Sequence, residues 1–367
     1  MRRHVITIWL LAILLFDGCV EPFNAPVVEQ QPGIVVDALL TDQPGPQSVR
    51  LFYSSGLNAD LDNPELIAGA TISITDENGR IEEFDEVSRG VYQSDESFAG
   101  TIGQSYKLTV LTERGEHFES DFIQMKPAGE ITSLYYEYES AVLNQGHPEL
   151  PQDAVNVYLN GKGAADDVSL LRWRWHATYQ VHTFPQYRIK HSPDGTILPD
   201  PYPCSGYIVD NENKLKSIFP CECCECWPTE FSEHASVSNN QTTSNVFNRI
   251  LVGKIPVDQW RFLYKYHLEV EQLSVQDDVY AFWKLVQAQQ QGGANIFQPN
   301  VVKVKGNLKR ISGDVAVFGI FSVSAVTSAI VEIDRDDIPI PPYVPDVIIQ
   351  DCRNYKENST NVKPPFW

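Results

Sequence analysis

In the sequence CECCECW, four of the first six consecutive residues are cysteines, and no other feature of the chain restricts the fold as strongly. They are Cys221, Cys223, Cys224 and Cys226, and Cys204 and Cys352 lie elsewhere in the chain. Neighbouring Cα atoms are about 3.8 Å apart, whereas disulfide-bonded Cα atoms prefer about 4.4–6.8 Å. Cys223 and Cys224 must therefore have different partners if all six cysteines form disulfides.

The pairing within the cluster stays open, because six cysteines allow fifteen pairings. If Cys204 and Cys352 each bond into the cluster, two of its cysteines remain for each other. The unstrained choices are then Cys221–Cys224, Cys223–Cys226 or Cys221–Cys226. A bridge from Cys352 would close a loop of over a hundred residues and stabilise the fold by roughly 4–5 kcal/mol.

A metal site is the alternative interpretation, because the cluster contains two overlapping C-x-x-C spacings. Structural zinc sites, however, pair two such arms that lie a dozen or more residues apart, and no histidine lies within several residues of the cluster. Thioredoxin-like redox chemistry would need a surrounding βαβ pattern, which the sequence lacks. We therefore expect disulfides, with no metal and no cofactor.

The N-terminus predicts an extracytoplasmic location, where disulfides are the norm. Arg2 and Arg3 precede an apolar run, 5–16, that is too short to span a bilayer, as in a secretory signal peptide. The sequence LFDGC that follows resembles a lipobox, so residues 1–18 are predicted to be removed and Cys19 to be acylated. Residues 19–32 have the proline-bearing, unpatterned sequence of a tether. An unlipidated, cleaved leader is the alternative.

Composition limits the classes of partner. The formal net charge of −20 disfavours nucleic acids and anionic membrane surfaces as direct ligands. The hydrophobic content of 43% is sufficient for real cores in a chain long enough for two domains.

Short alternating segments predict a mostly β protein with two domains. Six or seven strands with regular turns over 33–127 indicate an Ig-like or transthyretin-like β-sandwich. A second β-rich domain is predicted over 128–335, with a Cys/Pro-rich insertion at 183–247 and one packed helix that begins near Ser274 and runs to Gln291. Residues 336–367 form a proline-rich, extended tail.

The segment LRWRWHATY, 171–179, alternates aromatic and basic or polar side chains. Aromatic rows at a period of two usually form the core face of a sheet, although such a row could also bind a sugar or a peptide. If the protein has a recognition surface, the irregular insertion at 183–247 is the first candidate, because long loops of this kind are often functional.

The sequence contains no G-x-S-x-G, H-E-x-x-H or P-loop motif. Asp60 and Asp62 lie in an acidic stretch, NADLDNPE, that lacks the glycine and the terminal glutamate of an EF-hand loop. We therefore expect no catalytic residues and a protein that is not an enzyme.

Several segments, taken in their order along the chain, resemble the sequences of one protein family. These are CVEPF and IVVDALLTDQPGP near Cys19, GATISI at 69–74, SVQDDVYAFWK from Ser274, and VFGIFSVSAV at 317–326. They are similar to the Bacteroidota lipoproteins of the domain-of-unknown-function 4249 family, over about residues 19–335. The resemblance implies an outer-membrane lipoprotein, often encoded beside a TonB-dependent transporter.

The functional expectation combines this resemblance with the predicted anchor. We expect a lipid-anchored protein on the cell surface that acts as a non-enzymatic accessory or binding subunit of a TonB-dependent transporter. The alternatives are a free-standing extracytoplasmic enzyme and a lipoprotein that captures metal with its cysteine cluster.

Overall fold

The computed structural model describes residues 33–54, 64–142, 152–164, 169–239, 245–292, 305–339 and 347–367. In these ranges the chain forms 24 strands, a few short 3-10 turns and one α-helix. None of their helices has the length and apolar character that a membrane span requires. The mostly β fold that the sequence predicts is confirmed.

Eight strands precede residue 125, and twelve lie between residue 129 and the helix. The first eight are β1 (Ile34–Thr41), β2 (Ser48–Tyr53), β3 (Thr71–Asp76), β4 (Ile81–Ser88), β5 (Val91–Gln93), β6 (Ser105–Leu111), β7 (His117–Ser120) and β8 (Ile123–Gln124). The next twelve are β9 (Glu130–Val142), β10 (Gln152–Lys162), β11 (Leu170–Tyr179), β12 (Val181–His182), β13 (Ile189–His191), β14 (Ile197–Pro199), β15 (Tyr207–Val209), β16 (Leu215–Ser217), β17 (Glu225–Phe231), β18 (Ser236–Asn239), β19 (Val246–Pro256) and β20 (Lys265–Ser274). The helix α1 (Asp277–Gly292) is followed by β21 (Leu308–Ser312), β22 (Val317–Ser324), β23 (Val326–Asp334) and β24 (Ser359–Thr360).

The N-terminal sandwich contains ten strands, in the order β21-β7-β6-β3-β4-β5-β2-β1-β22 with β8 beside β6. Strand β4 pairs with β3 through its first half and with β5 through its second half, and so connects the two layers. Alternate residues of β1 point inward, which places Ile34, Val36 and Leu40 in one core with residues of the opposite layer such as Leu108 and Phe118.

The partition of the chain differs from the prediction at 308–324. The sequence assigned these residues to a second domain, but β22 pairs in parallel with β1 along its whole length, from Ile34↔Val317 to Thr41↔Ser324. Strand β21 pairs with β7 at the opposite end of the same sheet. The local pattern of β22 predicts a strand, but it contains no information about a partner almost 300 residues away.

The second sandwich packs a three-stranded sheet on a seven-stranded sheet. The first has the order β19-β10-β9, and the second runs β12-β17-β11-β20-β23 with β18 on β11 and β24 on β17. Trp173 and Tyr179 of β11 lie in the core that the two sheets share, and Trp173 Nε1 donates to Gln272 Oε1 at 3.3 Å. The aromatic row of 171–179 is therefore a core face.

Helix α1 lies where the two sandwiches meet. Val275, just before it, and Val279 are buried in one small cluster with Leu170 of β11 and Ile320 of β22. A hydrogen bond also crosses the junction: Gln272 Nε2 donates to the Ala128 carbonyl at 2.7 Å. The predicted helix is confirmed, although it begins three residues after Ser274.

Candidate functional site

Three disulfides organise the insertion. They join Cys204 to Cys223, Cys221 to Cys224, and Cys226 to Cys352, the last across 126 residues of sequence. The expectation that Cys223 and Cys224 bond to different partners is confirmed. Of the alternatives that the spacing left open, the structure contains Cys221–Cys224 within the cluster.

The disulfides determine what the cluster can bind. The sulfurs of Cys204 and Cys223 lie near the Asp351 carboxylate, a grouping that could coordinate a metal if the sulfurs were thiolates. Both sulfurs belong to one disulfide, so neither is a thiolate ligand. The Asp351 carboxylate accepts hydrogen bonds from the Arg353 side chain, at 3.0 Å from Nε, and these bonds hold the pKa of Asp351 below its usual value.

The backbone of the cluster is fixed by hydrogen bonds to three other segments. Thr183 N donates to the Cys224 carbonyl at 2.7 Å, Cys352 N donates to the Cys223 carbonyl at 3.1 Å, and Glu222 N donates to the Cys204 carbonyl at 2.9 Å. Gly206 turns the chain into β15 with a φ of 77°, and a Cβ there would lie 2.0 Å from the Phe219 carbonyl oxygen. Only glycine fits that turn.

The tail 347–367 packs on the same region. Strand β24 pairs with β17 at Trp227↔Thr360 and Pro228↔Ser359, and the next residue, Asn361, donates from Nδ2 to the Glu222 carbonyl at 3.0 Å. The Cys226–Cys352 disulfide therefore holds the tail beside β17.

An open groove of about 790 Å³ lies beside the Cys221–Cys224 disulfide. All but two of its lining residues belong to the insertion, and the others are His182 and Asn361. The size is typical of a small-molecule site. The groove combines three aromatic residues with two carboxylates and two amides, which are Tyr207, Phe219 and Trp227, Glu222 and Glu225, and Gln186 and Asn361.

Two polar atoms of these lining residues lack a hydrogen-bond partner. Trp227 is 5% exposed, and its Nε1–H is buried and unpaired. The Gln186 Oε1 atom is also buried and unpaired. Most buried polar atoms in folded proteins are paired, and an unpaired one costs about 1–3 kcal/mol. Both atoms are enclosed by protein and are not in contact with solvent.

The electrostatic character of the groove is acidic. Glu222 and Glu225 are its charged lining residues, and its lining includes neither lysine nor arginine. The lining also contains His182, whose Nδ1 lies 3.8 Å from Glu225 Oε1. This distribution matches the net charge of −20 and disfavours anionic ligands.

The sequence predicted the region of the groove but not the residues that line it. Proline content and cysteines marked 183–247, whereas Trp227 and Gln186 are separated by about forty residues and line one groove because β12 pairs with β17. The one local signal is that Trp227 directly follows Cys226 in CECCECW. The predicted acylation site, Cys19, lies outside the described residues.

Three comparisons relate the chain to known proteins. Residues 20–330 match the family model described as Domain of unknown function (DUF4249). None of the curated proteins matches the chain. A solved structure of a DUF4785 family protein from Legionella pneumophila is 7% identical, with 66% of this chain and 52% of that chain covered and a TM-score of 0.18. A TM-score this low supports no conclusion about the fold or the function of this chain.

Proposed function

The chain belongs to the DUF4249 family, and on that premise we propose that it is a non-enzymatic, lipid-anchored surface protein of the outer membrane of a Bacteroidota bacterium. Its role is that of an accessory or binding subunit of a TonB-dependent transporter. The insertion at 183–247 is the recognition surface. The single observation that carries the proposal is the set of exposed apolar side chains on that disulfide-fixed insertion.

These side chains lie on and beside the two small hairpins of the insertion. Strands β13 and β14 pair from Ile189↔Pro199 to His191↔Ile197, and β15 and β16 pair from Tyr207↔Ser217 to Val209↔Leu215. The exposed large apolar residues of this region are Tyr187, Ile189, Ile197, Ile208, Ile218 and Phe219. An apolar patch formed by such side chains is typical of a protein-binding surface.

The lipid anchor supports the same role. The leader ahead of Cys19 and the tether 19–32 would place the body of the protein close to a membrane, where an integral partner is accessible. Radiolabelled palmitate should enter the wild-type protein in growing cells, and Cys19→Ala should abolish the label and release the protein from the membrane fraction. Retention of label in that variant would contradict acylation at Cys19.

The recognition surface is tested by charge insertion at matched sites. Ile197 is 58% exposed on the insertion and Ile81 is 60% exposed on the N-terminal sandwich. We expect Ile197→Asp combined with Ile208→Asp to reduce co-purification of the transporter from outer membranes at least tenfold. Ile81→Asp should leave it unchanged. Equal recovery with all variants would place the contact elsewhere and contradict the assignment of the surface.

A further inference from the structure

The Cys221–Cys224 disulfide lies in a different environment from the other two disulfides. Both of its cysteines line the open groove, and Cys221 is partly exposed. Each of the other two disulfides contains at least one cysteine that is 0% exposed, and these cysteines are Cys223, Cys226 and Cys352. Neither of these disulfides lines the groove. A small molecule from solvent can therefore approach Cys221–Cys224 without any opening of the fold.

This disulfide also contributes little to the stability of the fold. It closes a loop of three residues, and the chain-entropy stabilisation by a disulfide is small for short loops. The backbone around it is held by hydrogen bonds, because Thr183 N donates to the Cys224 carbonyl and Glu222 N donates to the Cys204 carbonyl. Exposed disulfides are in general the labile or regulatory ones. Opening of Cys221–Cys224 should therefore be easy and should leave the native structure in place.

We propose that Cys221–Cys224 is a redox-active disulfide that exchanges with a small thiol from solvent. The thiolate of the incoming molecule attacks Cys221 Sγ and forms a mixed disulfide, while the bond between Cys221 Sγ and Cys224 Sγ breaks. A second thiolate attacks the sulfur of the first small molecule, which releases the oxidised small-molecule disulfide. Each cysteine leaves its bond as a thiolate and takes a proton from water. Two thiols are thus oxidised for each protein disulfide that is reduced.

The charges of the groove select which thiol reacts. Glu222 and Glu225 are adjacent to the cysteines in sequence, line the same groove and are exposed. They repel an incoming anion, and neither lysine nor arginine lines the groove to compensate. A cationic group on the thiol is attracted to these carboxylates and can pack against the ring of Phe219, which is 41% exposed. The preferred partner is therefore an aminothiol, and a thiol with an anionic group is disfavoured.

The inference goes beyond the proposed function and does not rest on it. Thiol exchange at Cys221–Cys224 is measured on the purified protein, whereas capture of the transporter is measured in membranes. Either proposal can fail while the other holds.

The test uses the oxidised, full-length, mature protein in mild detergent without denaturant. It is exposed to an excess of cysteamine, and samples are quenched with acid, freed from the small thiol and alkylated with N-ethylmaleimide. Peptide mapping by mass spectrometry then gives the rate at which each cysteine becomes a free thiol. We expect Cys221 and Cys224 to appear roughly tenfold faster than the other four cysteines, because buried disulfides react only when the fold opens.

The charge selectivity is tested with three small thiols at equal concentrations of thiolate. These are cysteamine, 2-mercaptoethanol and 2-mercaptoethanesulfonate, which carry a cationic, a neutral and an anionic group. Each rate is divided by the rate of the same thiol with bis(2-hydroxyethyl) disulfide, which removes differences in intrinsic reactivity. We expect cysteamine to reduce Cys221–Cys224 about fivefold faster than 2-mercaptoethanesulfonate on this scale.

Matched double variants show whether the groove is the source of this selectivity. Glu222→Gln with Glu225→Gln should lower the ratio of the two rates to about two or less, because the repelling carboxylates are gone. Glu83→Gln with Asp85→Asn removes the same charge from exposed positions on β4. This control pair should leave the ratio unchanged.

Three results would overturn the proposal. One is reduction of Cys204–Cys223 or Cys226–Cys352 before or together with Cys221–Cys224. The second is no reduction of any disulfide until denaturant is added. The third is a rate that does not depend on the charge of the thiol, or a dependence that the groove variants lower no more than the control pair does. The first two would show that the groove does not admit a thiol to its disulfide, and the third that its carboxylates do not select the thiol.

Discussion

Glu230 is the residue on which the polar network beneath the tail converges. Its carboxylate is 13% exposed and accepts hydrogen bonds from Arg261 Nε at 2.8 Å, from the Tyr266 hydroxyl at 2.6 Å and from Lys356 Nζ at 3.1 Å. Burial by itself would raise the pKa of Glu230. The hydrogen bonds and charge of Arg261, with Tyr266 and Lys356, outweigh burial and hold that pKa below its ordinary value of 4.5.

The lowered pKa of Glu230 determines the direction in which the free energy of unfolding changes with pH. Since the carboxyl of Glu230 is more acidic in the folded than in the unfolded state, its contribution is complete above about pH 4.5 and is lost as pH falls through the folded pKa. Glu230→Gln should lower the free energy of unfolding at pH 7 by about 2 kcal/mol, because it removes charge-assisted hydrogen bonds to Arg261, which keeps only its second carboxylate partner, Asp258. The difference in the free energy of unfolding between Glu230→Gln and the wild type should become smaller below about pH 4.5.

Thermal unfolding between pH 7 and pH 3 measures this difference. Glu83→Gln is the control, because Glu83 is exposed on β4 and should change the melting temperature by less than 2 °C at any pH. A constant difference between Glu230→Gln and wild type at every pH would show that the charge of Glu230 does not contribute.

At the scale of elements, the three disulfides have unequal roles. Cys226–Cys352 closes 126 residues and holds the tail on β17, whereas Cys221–Cys224 closes a loop of only three residues and lies in the wall of the groove. Because the chain-entropy contribution of a disulfide grows with the logarithm of the loop length, the first should stabilise the fold by roughly 3 kcal/mol more than the second.

Paired alanine substitutions test this difference by urea unfolding of oxidised protein. Cys226→Ala with Cys352→Ala should shift the urea midpoint strongly, and Cys221→Ala with Cys224→Ala should shift it little. A larger loss of stability for the second pair would contradict the assignment of roles.

Individual elements also mark how far the sequence could predict the structure. The alternation of Ile34, Val36 and Leu40 predicts the inward face of β1, because one side of a sandwich strand is always buried. The exclusion of a Cys223–Cys224 pair follows from covalent geometry. The groove could not be predicted, since Trp227, Gln186 and Asn361 line one groove only because β12 and β24 both pair with β17.

At the scale of the whole molecule, the two sandwiches are built from interleaved parts of the chain. The N-terminal sandwich is completed by β21 and β22, which follow every described strand of the second sandwich except β23 and β24. Phe321 and Val323 of β22 are fully buried in the N-terminal core. A segment limited to the predicted N-terminal domain would therefore expose the edge of β1 and lack part of its core.

This interleaving predicts how fragments fold. Residues 33–128 alone should be unfolded, with poorly dispersed amide resonances in a two-dimensional NMR spectrum. The same residues, joined to 305–325 by a long glycine–serine linker, should give a dispersed spectrum and a cooperative melt, because the missing strands are restored. Dispersed resonances from 33–128 alone would instead support an independent N-terminal domain.

The proposed function is also a statement about the whole molecule, since the anchor, the insertion and the partner must act together. The most direct measurement is purification of the tagged, full-length protein from outer membranes in mild detergent, with the co-purifying proteins identified and quantified by mass spectrometry. The proposal predicts a TonB-dependent transporter in a one-to-one ratio. Intact, acylated protein recovered without a transporter would contradict it.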